Sequence, residues 1–246
     1  MKKRLDQLLM EREFFESRTK AQAAIMAGLV YIGEQKVDKA GTLVPPDCII
    51  EVRGQVHPYV SRGGLKLAKA LDEFKVDPKD KVCLDVGAST GGFTDCLLQR
   101  GATKVYAVDV GYGQLAWKLR SDPRVVVIER CNARNLQLKD FDPCPLTLDL
   151  AVIDVSFISL TKILPAVYNL LGEKGEVVAL IKPQFEAGRG DVGKGGVVRS
   201  AVVREKVVEK IKNEAQALGY EVRGVIESPI TGADGNVEFL IYLLKS

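Results

Sequence analysis

The chain has 246 residues, 46% of them hydrophobic and 27% charged, which excludes wholesale disorder and allows one large domain, alone or with a small one. Its formal charge of +3 is too mild to imply a nucleic-acid partner, yet it is unevenly placed: residues 1–60 hold nine basic and eight acidic side chains, 61–69 three basic and none acidic, and 70–246 hold 23 basic and 24 acidic. Five cysteines with no C-x-x-C pair and a single histidine, His57, exclude a disulfide framework, a zinc site and a histidine-based triad, and predict reduced thiols in a cytoplasm.

The first residues, Met1-Lys2-Lys3-Arg4, are basic, but Asp6, Glu11, Arg12 and Glu13 interrupt the apolar core that a signal peptide needs. No apolar run reaches the roughly 18 residues of a membrane helix, so no membrane partner is expected. Leu5, Leu8 and Leu9 share a helical face, and the pattern breaks near Phe14–Ser17. Ser17 is placed to cap a second helix, in which Ala21, Ala24, Ile25 and Ala27 recur at helical spacing until Gly28. Leu29–Ile32 and apolar pairs around Val37, Val44 and Ile49–Val52 read as small strands, with Gly33, Gly41, Pro45 and Pro46 between them. By pattern alone, residues 2–57 are a structural cap of two helices and a little sheet.

A resemblance adds to that reading. The runs Ser17–Ile25, Gly28–Gly33, Lys36-Val37, Lys39–Gly41 and Asp47–Val52 resemble the small RNA-binding domain named after ribosomal protein S four. It implies that residues 1–60 form this domain, with Arg18 and Lys20 on the second helix presented to structured RNA and Arg4 nearby. Phosphate neutralisation by such residues gives affinity and position but little sequence information.

Residues 61–80 read as a linker and join helix: Arg62, Gly63 and Gly64, then Leu65, Leu67, Ala68, Leu71 and Phe74 at helical spacing, closed by Asp77-Pro78-Lys79-Asp80. From residue 81 strand and helix alternate. Strands are predicted at Val82–Val86, Val105–Asp109, Val125–Glu129, Leu148–Ile153, Val177–Ile181, Tyr220–Ile226 and Phe239–Leu244, with helices around 93–100, 161–171 and 200–218. Continuous apolar runs such as Val125–Ile128 suit a mostly parallel sheet covered on both faces, an α/β Rossmann-like fold over residues 81–246.

Two sites follow from that pattern. Asp85, Gly87, Ser89, Thr90, Gly91, Gly92 and Phe93 form a strand, a glycine-rich turn and a helix start, where backbone amides can approach a ligand. Asp109 ends the second strand, where a carboxylate can accept two ribose hydroxyls. The spacing G-x-x-x-G-G is not a pyrophosphate cradle, and Asp85 would repel a diphosphate, so S-adenosylmethionine is favoured over a nicotinamide dinucleotide. Phe93 reads equally as a wall for the methionine tail or a core aromatic, and Asn132 as an adenine contact or a turn former.

The second site gathers charges at strand ends. Asp154 ends the fourth strand, Lys182 ends the fifth, Glu238 begins the last, and Lys66 approaches from the join helix. Each alone reads as a surface ion pair; together they suit methylation of a ribose 2′-hydroxyl, a poor nucleophile that needs a base and in-line orientation. Lys182 is assigned as proton acceptor, Lys66 as the neighbouring cation that lowers its pKa so that it can serve as a base, Asp154 as its orienter, and Glu238 as the ribose holder or charge balance. Lys69, one turn beyond Lys66, is the alternative first lysine.

Nearly the whole chain then resembles the hemolysin A (TlyA) family, an RNA-binding domain fused to an FtsJ-like ribose methyltransferase. The residues that carry it are Ser61–Leu67, Asp85–Phe93, Asp109–Leu115, Asp154–Leu160, Lys182–Glu186 and Gly235–Glu238. The resemblance implies methylation of cytidine 2′-hydroxyls of ribosomal RNA within ribosomal subunits, in 23S RNA alone or in both 23S and 16S RNA, with a short chain leaning toward the large subunit, and no metal. Asn132 departs from the acidic residue usual in FtsJ-like enzymes. Residues 185–197, with Arg189 and Lys194 among five glycines, read either as a flap that closes over RNA or as an ordinary surface loop. A base methyltransferase is disfavoured because Asp154-Val155-Ser156-Phe157 lacks the prolines of amino-group enzymes. A non-catalytic assembly protein or a membrane-lysing protein are the remaining alternatives.

Overall fold

Helical and strand periodicities alternate along the chain, and the computed structural model, which describes residues 2–26, 28–53, 58–142, 147–188, 190–232 and 234–246, gathers them into two compact units, Met1–Pro58 and Tyr59–Ser246. His57, Cys144 and Arg189 lie outside the described residues.

The first unit runs β1 (Lys3–Arg4), α1 (Leu5–Glu11), α2 (Arg18–Met26), β2 (Val30–Ile32), β3 (Gln35–Val37), β4 (Leu43–Val44) and β5 (Ile50–Val52). Leu5, Leu8 and Leu9 of α1 pack against Ala21, Ala24 and Ile25 of α2, the residues whose spacing predicts the two helices. The Ser17 hydroxyl accepts the Lys20 N–H at 3.2 Å and so caps α2. β2 is the centre of an antiparallel sheet, β3-β2-β5, and β1 pairs with β4.

The second unit begins with α3 (Gly63–Phe74), so the helix read as a join belongs to it; Lys75, at φ 58°, caps α3 in the left-handed region, before Asp77–Asp80. Then follow β6 (Val82–Val86), α4 (Gly92–Gln99), β7 (Lys104–Val108), α5 (Trp117–Arg120), β8 (Val125–Ile128), β9 (Leu148–Ile153), α6 (Leu164–Leu170), β10 (Leu171–Ile181), α7 (Pro183–Glu186), α8 (Ala201–Ala217), β11 (Tyr220–Glu227) and β12 (Phe239–Lys245). They form one seven-stranded sheet, β11-β12-β10-β9-β6-β7-β8, in which β12 runs antiparallel to both neighbours. Alternate residues of β6 enter opposite layers: Leu84 and Val86 pack with α6 and α8, whereas Cys83 packs with α3 and α4. The strand order reverses at β6, which has β7 on one side and β9 on the other, and this opens a crevice at the strands' carboxyl ends. Among the described residues, no helix is long and apolar enough to cross a membrane.

Candidate active site

The crevice depends on how closely β6 and β9 end together. Gly87, at φ 84°, has no Cβ; one built there would lie 2.4 Å from the Asp154 carbonyl oxygen, so only glycine lets the two strand ends meet. The start of α4 is as tight: a Cβ on Gly92 would lie 2.2 Å from Ser61 Oγ and 2.9 Å from the Gly64 nitrogen. The Ser61–Gly64 run is thereby seated on the glycine-rich turn. Asp109 fixes the other side of the turn, accepting the Ser89 N–H at 2.8 Å and the Gly111 N–H at 2.7 Å.

Asp85 does not enter the crevice as the sequence predicts. It is fully buried beneath the turn, where Oδ2 accepts the Thr94 N–H at 2.9 Å and its hydroxyl at 2.6 Å. Oδ1 has no hydrogen-bond partner among the described residues, and burial pushes the carboxyl up to about 7, with Thr94 opposing and Asp154 adding to the rise.

Two cavities open here and share Gly87, Ser89, Asp154 and Ser156. One, about 290 Å³, has Asp109, Gln114 and Asn132 among apolar walls that include Val108 and Ile158. The other, about 380 Å³, has Lys66, Lys182, Thr90, Gly92, Phe93 and Arg62. An elongated ligand with an aromatic ring, two vicinal hydroxyls and a charged tail fits that pair: apolar walls, a carboxylate at the middle, and backbone amides of a glycine turn beyond. The residues present therefore fit S-adenosylmethionine.

The four charged residues form two ion pairs. Lys182 Nζ lies 2.5 Å from Asp154 Oδ1 and donates to Ser156 Oγ at 2.9 Å. Lys66 Nζ donates to Glu238 Oε2 at 2.6 Å, and both side chains are nearly sealed from water. Lys66 thus arrives with its own counter-charge. Glu238 lies behind Lys66, outside the lining of both cavities; its second oxygen accepts from Gln184 at 3.4 Å, which gives it the charge-balancing role rather than a hold on ribose. Lys69 is exposed and pairs with Glu73 on its own helix, so Lys66 is the lysine of the site.

The other predicted residues divide. Phe93 packs in the core and also lines the larger cavity. Asn132 Oδ1 accepts the Arg134 N–H at 3.2 Å, the turn-forming role, while the residue also lines the smaller cavity. Gly91, at φ 98°, is outside both linings; a Cβ there would strike Leu119. Lys194 is exposed on the glycine-rich loop, and Arg4, Arg18 and Lys20 stand on the first unit, with Lys20 paired to Glu16. Four contributors escape sequence reasoning: Thr94, Ser156, Gln184 and Asn236. Asn236, 1% exposed, accepts the Val198 N–H and donates to the Gly196 carbonyl, each at 2.9 Å, and so fastens that loop. Ser156, Gln184 and Asn236 carried a signal, their place inside the runs Asp154–Leu160, Lys182–Glu186 and Gly235–Glu238. No group of three or more potential metal ligands occurs among the described residues.

Comparison with known proteins agrees with the geometry. Residues 59–245 match the FtsJ-like methyltransferase family, and residues 3–49 match the S4 domain. Over 98% of its length the chain is 54% identical to YqxC of Bacillus subtilis, described as a candidate rRNA methyltransferase, 85% of which is covered. Over 98% of this chain and 89% of the relative, it is 45% identical to the 16S/23S rRNA (cytidine-2′-O)-methyltransferase TlyA of Mycobacterium tuberculosis. A solved structure from Streptococcus thermophilus, described as a candidate hemolysin, matches with a TM-score of 0.77 at 47% identity, over 100% of this chain and 89% of that one.

Proposed function

Because this chain belongs to the TlyA (hemolysin A) family, an S4 domain joined to an FtsJ-like methyltransferase, we propose that it methylates the 2′-hydroxyl of a cytidine in ribosomal RNA presented within ribosomal subunits. The observation that carries this reading is the Lys182–Asp154 pair, which lines the larger cavity at the point where it meets the smaller one.

S-adenosylmethionine supplies the electrophilic methyl. Asp109, at the end of β7, would hold the ribose hydroxyls of its nucleoside, since each carboxylate oxygen keeps a lone pair beyond the backbone N–H it accepts. Asn132 would meet the adenine edge, and the turn from Gly87 to Gly92, with Phe93, would take the methionine end. Asp85 would act through the turn by fixing Thr94 and the start of α4.

A ribose hydroxyl attacks only when its proton has somewhere to go. Lys182 Nζ, entering the step as the neutral amine, takes the proton leaving the 2′-oxygen and becomes the ammonium that Asp154 and Ser156 hold. Lys66, supported by Glu238, holds the ribose side of the site. Most of the rate gain expected from such a site is orientation, for which effective molarities of about 10⁵ M and above are attainable. Arg4, Arg18, Lys20, Arg62, Arg189 and Lys194 would hold the RNA by its phosphates.

Transfer of radiolabelled methyl to isolated small and large subunits and to naked ribosomal RNA tests this reading, with Lys182→Ala run in parallel. Label on ribose, lost in the variant, is expected, and the labelled subunit identifies the target. Absence of label from every substrate, with cofactor binding intact, would remove the proposed reaction.

A further inference from the structure

Among the described residues of the first unit, Asp6 is the one charged residue sealed from water: its side chain is 0% exposed, although it stands in the first turn of α1. A buried carboxylate is costly unless it is fully partnered. This one is met by three side chains. Arg4 donates twice, Nε to Oδ1 and Nη2 to Oδ2, both at 3.0 Å. Arg18 Nε donates to Oδ2 at 2.9 Å and Gln22 Nε2 at 2.8 Å. The Arg4 hydrogen bonds hold the Asp6 carboxyl far below the usual carboxylate range, with Gln22 and Arg18 adding to them against the cost of burial.

The arrangement leaves the two arginines half-open. Their side chains are 42% and 49% exposed, and each is gripped by its Nε edge, so the remaining N–H groups are turned away from the shared carboxylate. The Arg4 guanidinium also lies across Gly41, where a Cβ would sit 3.4 Å from Nη1. Two guanidinium groups on one carboxylate carry a net single positive charge, and neither swings freely. Lys20, by contrast, pairs only with the solvent-exposed Glu16.

We propose that Asp6 is a positioning residue for RNA recognition, fixing Arg4 and Arg18 as one preformed two-guanidinium clamp for a backbone phosphate. The proposal rests on the reading of the first unit as the RNA-binding one. Phosphate binding by a bidentate, pre-ordered fork loses less side-chain freedom than binding by two separate flexible arginines.

Asp6→Asn in the full chain separates positioning from charge. The substitution raises the net charge by one, so counterion release alone predicts equal or tighter RNA binding. Positioning predicts the opposite sign: binding to deproteinised ribosomal RNA at fixed salt weakens by about five- to tenfold, the loss of roughly one phosphate contact. Cofactor affinity stays unchanged. The same substitution in an Arg4→Gln/Arg18→Gln background is expected to cost nothing further, because there is no clamp left to position. Equal or tighter binding by Asp6→Asn, or an equal loss in both backgrounds, overturns the proposal; the second outcome makes Asp6 a residue of domain stability. Wild-type binding by Arg4→Gln/Arg18→Gln overturns the RNA reading of these arginines and the proposal with it.

Discussion

At the scale of single residues, Lys182 sits 2.5 Å from Asp154 and 2.9 Å from Ser156, and it can serve either as a base or as a fixed cation. Two substitutions separate these roles. Lys182→Ala removes both, and methyl transfer is expected to fall by about 10²–10⁴-fold with cofactor affinity little changed. Lys182→Arg keeps the charge opposite Asp154 but cannot release a proton at neutral pH, so a base predicts the same loss and a fixed cation predicts substantial recovery. Single-turnover rates with saturating RNA distinguish them. Asp85 makes a different prediction. Its carboxyl titrates near about 7 rather than at 3.8, because burial disfavours the charged form, so its contribution to stability is whole below pH 3.8 and is lost as pH rises through about 7. Urea unfolding at pH 5 and pH 8 is expected to show the wild type less stable at pH 8, and Asp85→Asn is expected to remove about 1–3 kcal/mol of that difference. Glu186, also raised by burial, contributes with the same sign in both proteins, so the comparison between them isolates Asp85. An identical pH dependence in the two would rule out Asp85 as its source. Which charged residues belong to the site was legible, because Asp154 and Lys182 end apolar strands. How they pair was not: Lys66 meets Glu238 across 172 positions, a contact that no local pattern encodes.

At the scale of elements, the glycine-rich segment between α7 and α8 is tied down near its end by Asn236 and by Arg204 of α8, which donates to the Val198 carbonyl at 3.3 Å. Asn236 closes two hydrogen bonds to Gly196 and Val198, while Lys194 and its neighbours remain exposed. Asn236→Ala leaves the buried Val198 N–H without its partner, at a cost of about 1–3 kcal/mol. Limited proteolysis is expected to cut the variant within residues 188–198 faster than the wild type, and its KM for RNA is expected to rise more than its kcat falls. Unchanged cleavage would show that the loop is held by its own turns. The same segment shows where sequence reading stops. Glycine runs mark a loop, but one of its anchors is an Asn on the approach to the last strand. Strands read well where both faces are covered, as in Val125–Ile128 and Val177–Ile181. The start of β10 at Leu171 did not, because it follows from pairing with Leu148 and an irregular register before Glu176. The four-residue helices α5 and α7 are too short for a 3.6-residue period to register. The antiparallel direction of β12 is not encoded in its own apolar run.

At the scale of the whole molecule, charge cannot steer the protein to its substrate. Residues 1–60 sum to +1, 61–69 to +3 and 70–246 to −1, so RNA affinity must come from local groups such as Arg4, Arg18 and Arg62. The two units also keep separate hydrophobic cores, that of the first built from Leu5, Leu9, Ile25 and Val30 and those of the second from other residues throughout. Binding and chemistry should therefore fail independently. Arg18→Gln is expected to weaken RNA binding and to reduce the slope of log affinity against log salt by about one, while cofactor affinity and kcat hold and KM rises. Lys182→Ala is expected to do the reverse, abolishing transfer while RNA affinity and its salt slope stay within error of the wild type. Filter binding across a salt series, with calorimetry for the cofactor, reads both. The crossed pattern follows only if the first unit holds RNA through phosphates and the second supplies the proton acceptor. A loss of kcat in Arg18→Gln at saturating RNA would instead mean that the first unit orients the ribose as well as retaining the RNA. In that case the assumption of independent failure would be wrong, even with both sets of residues correctly assigned.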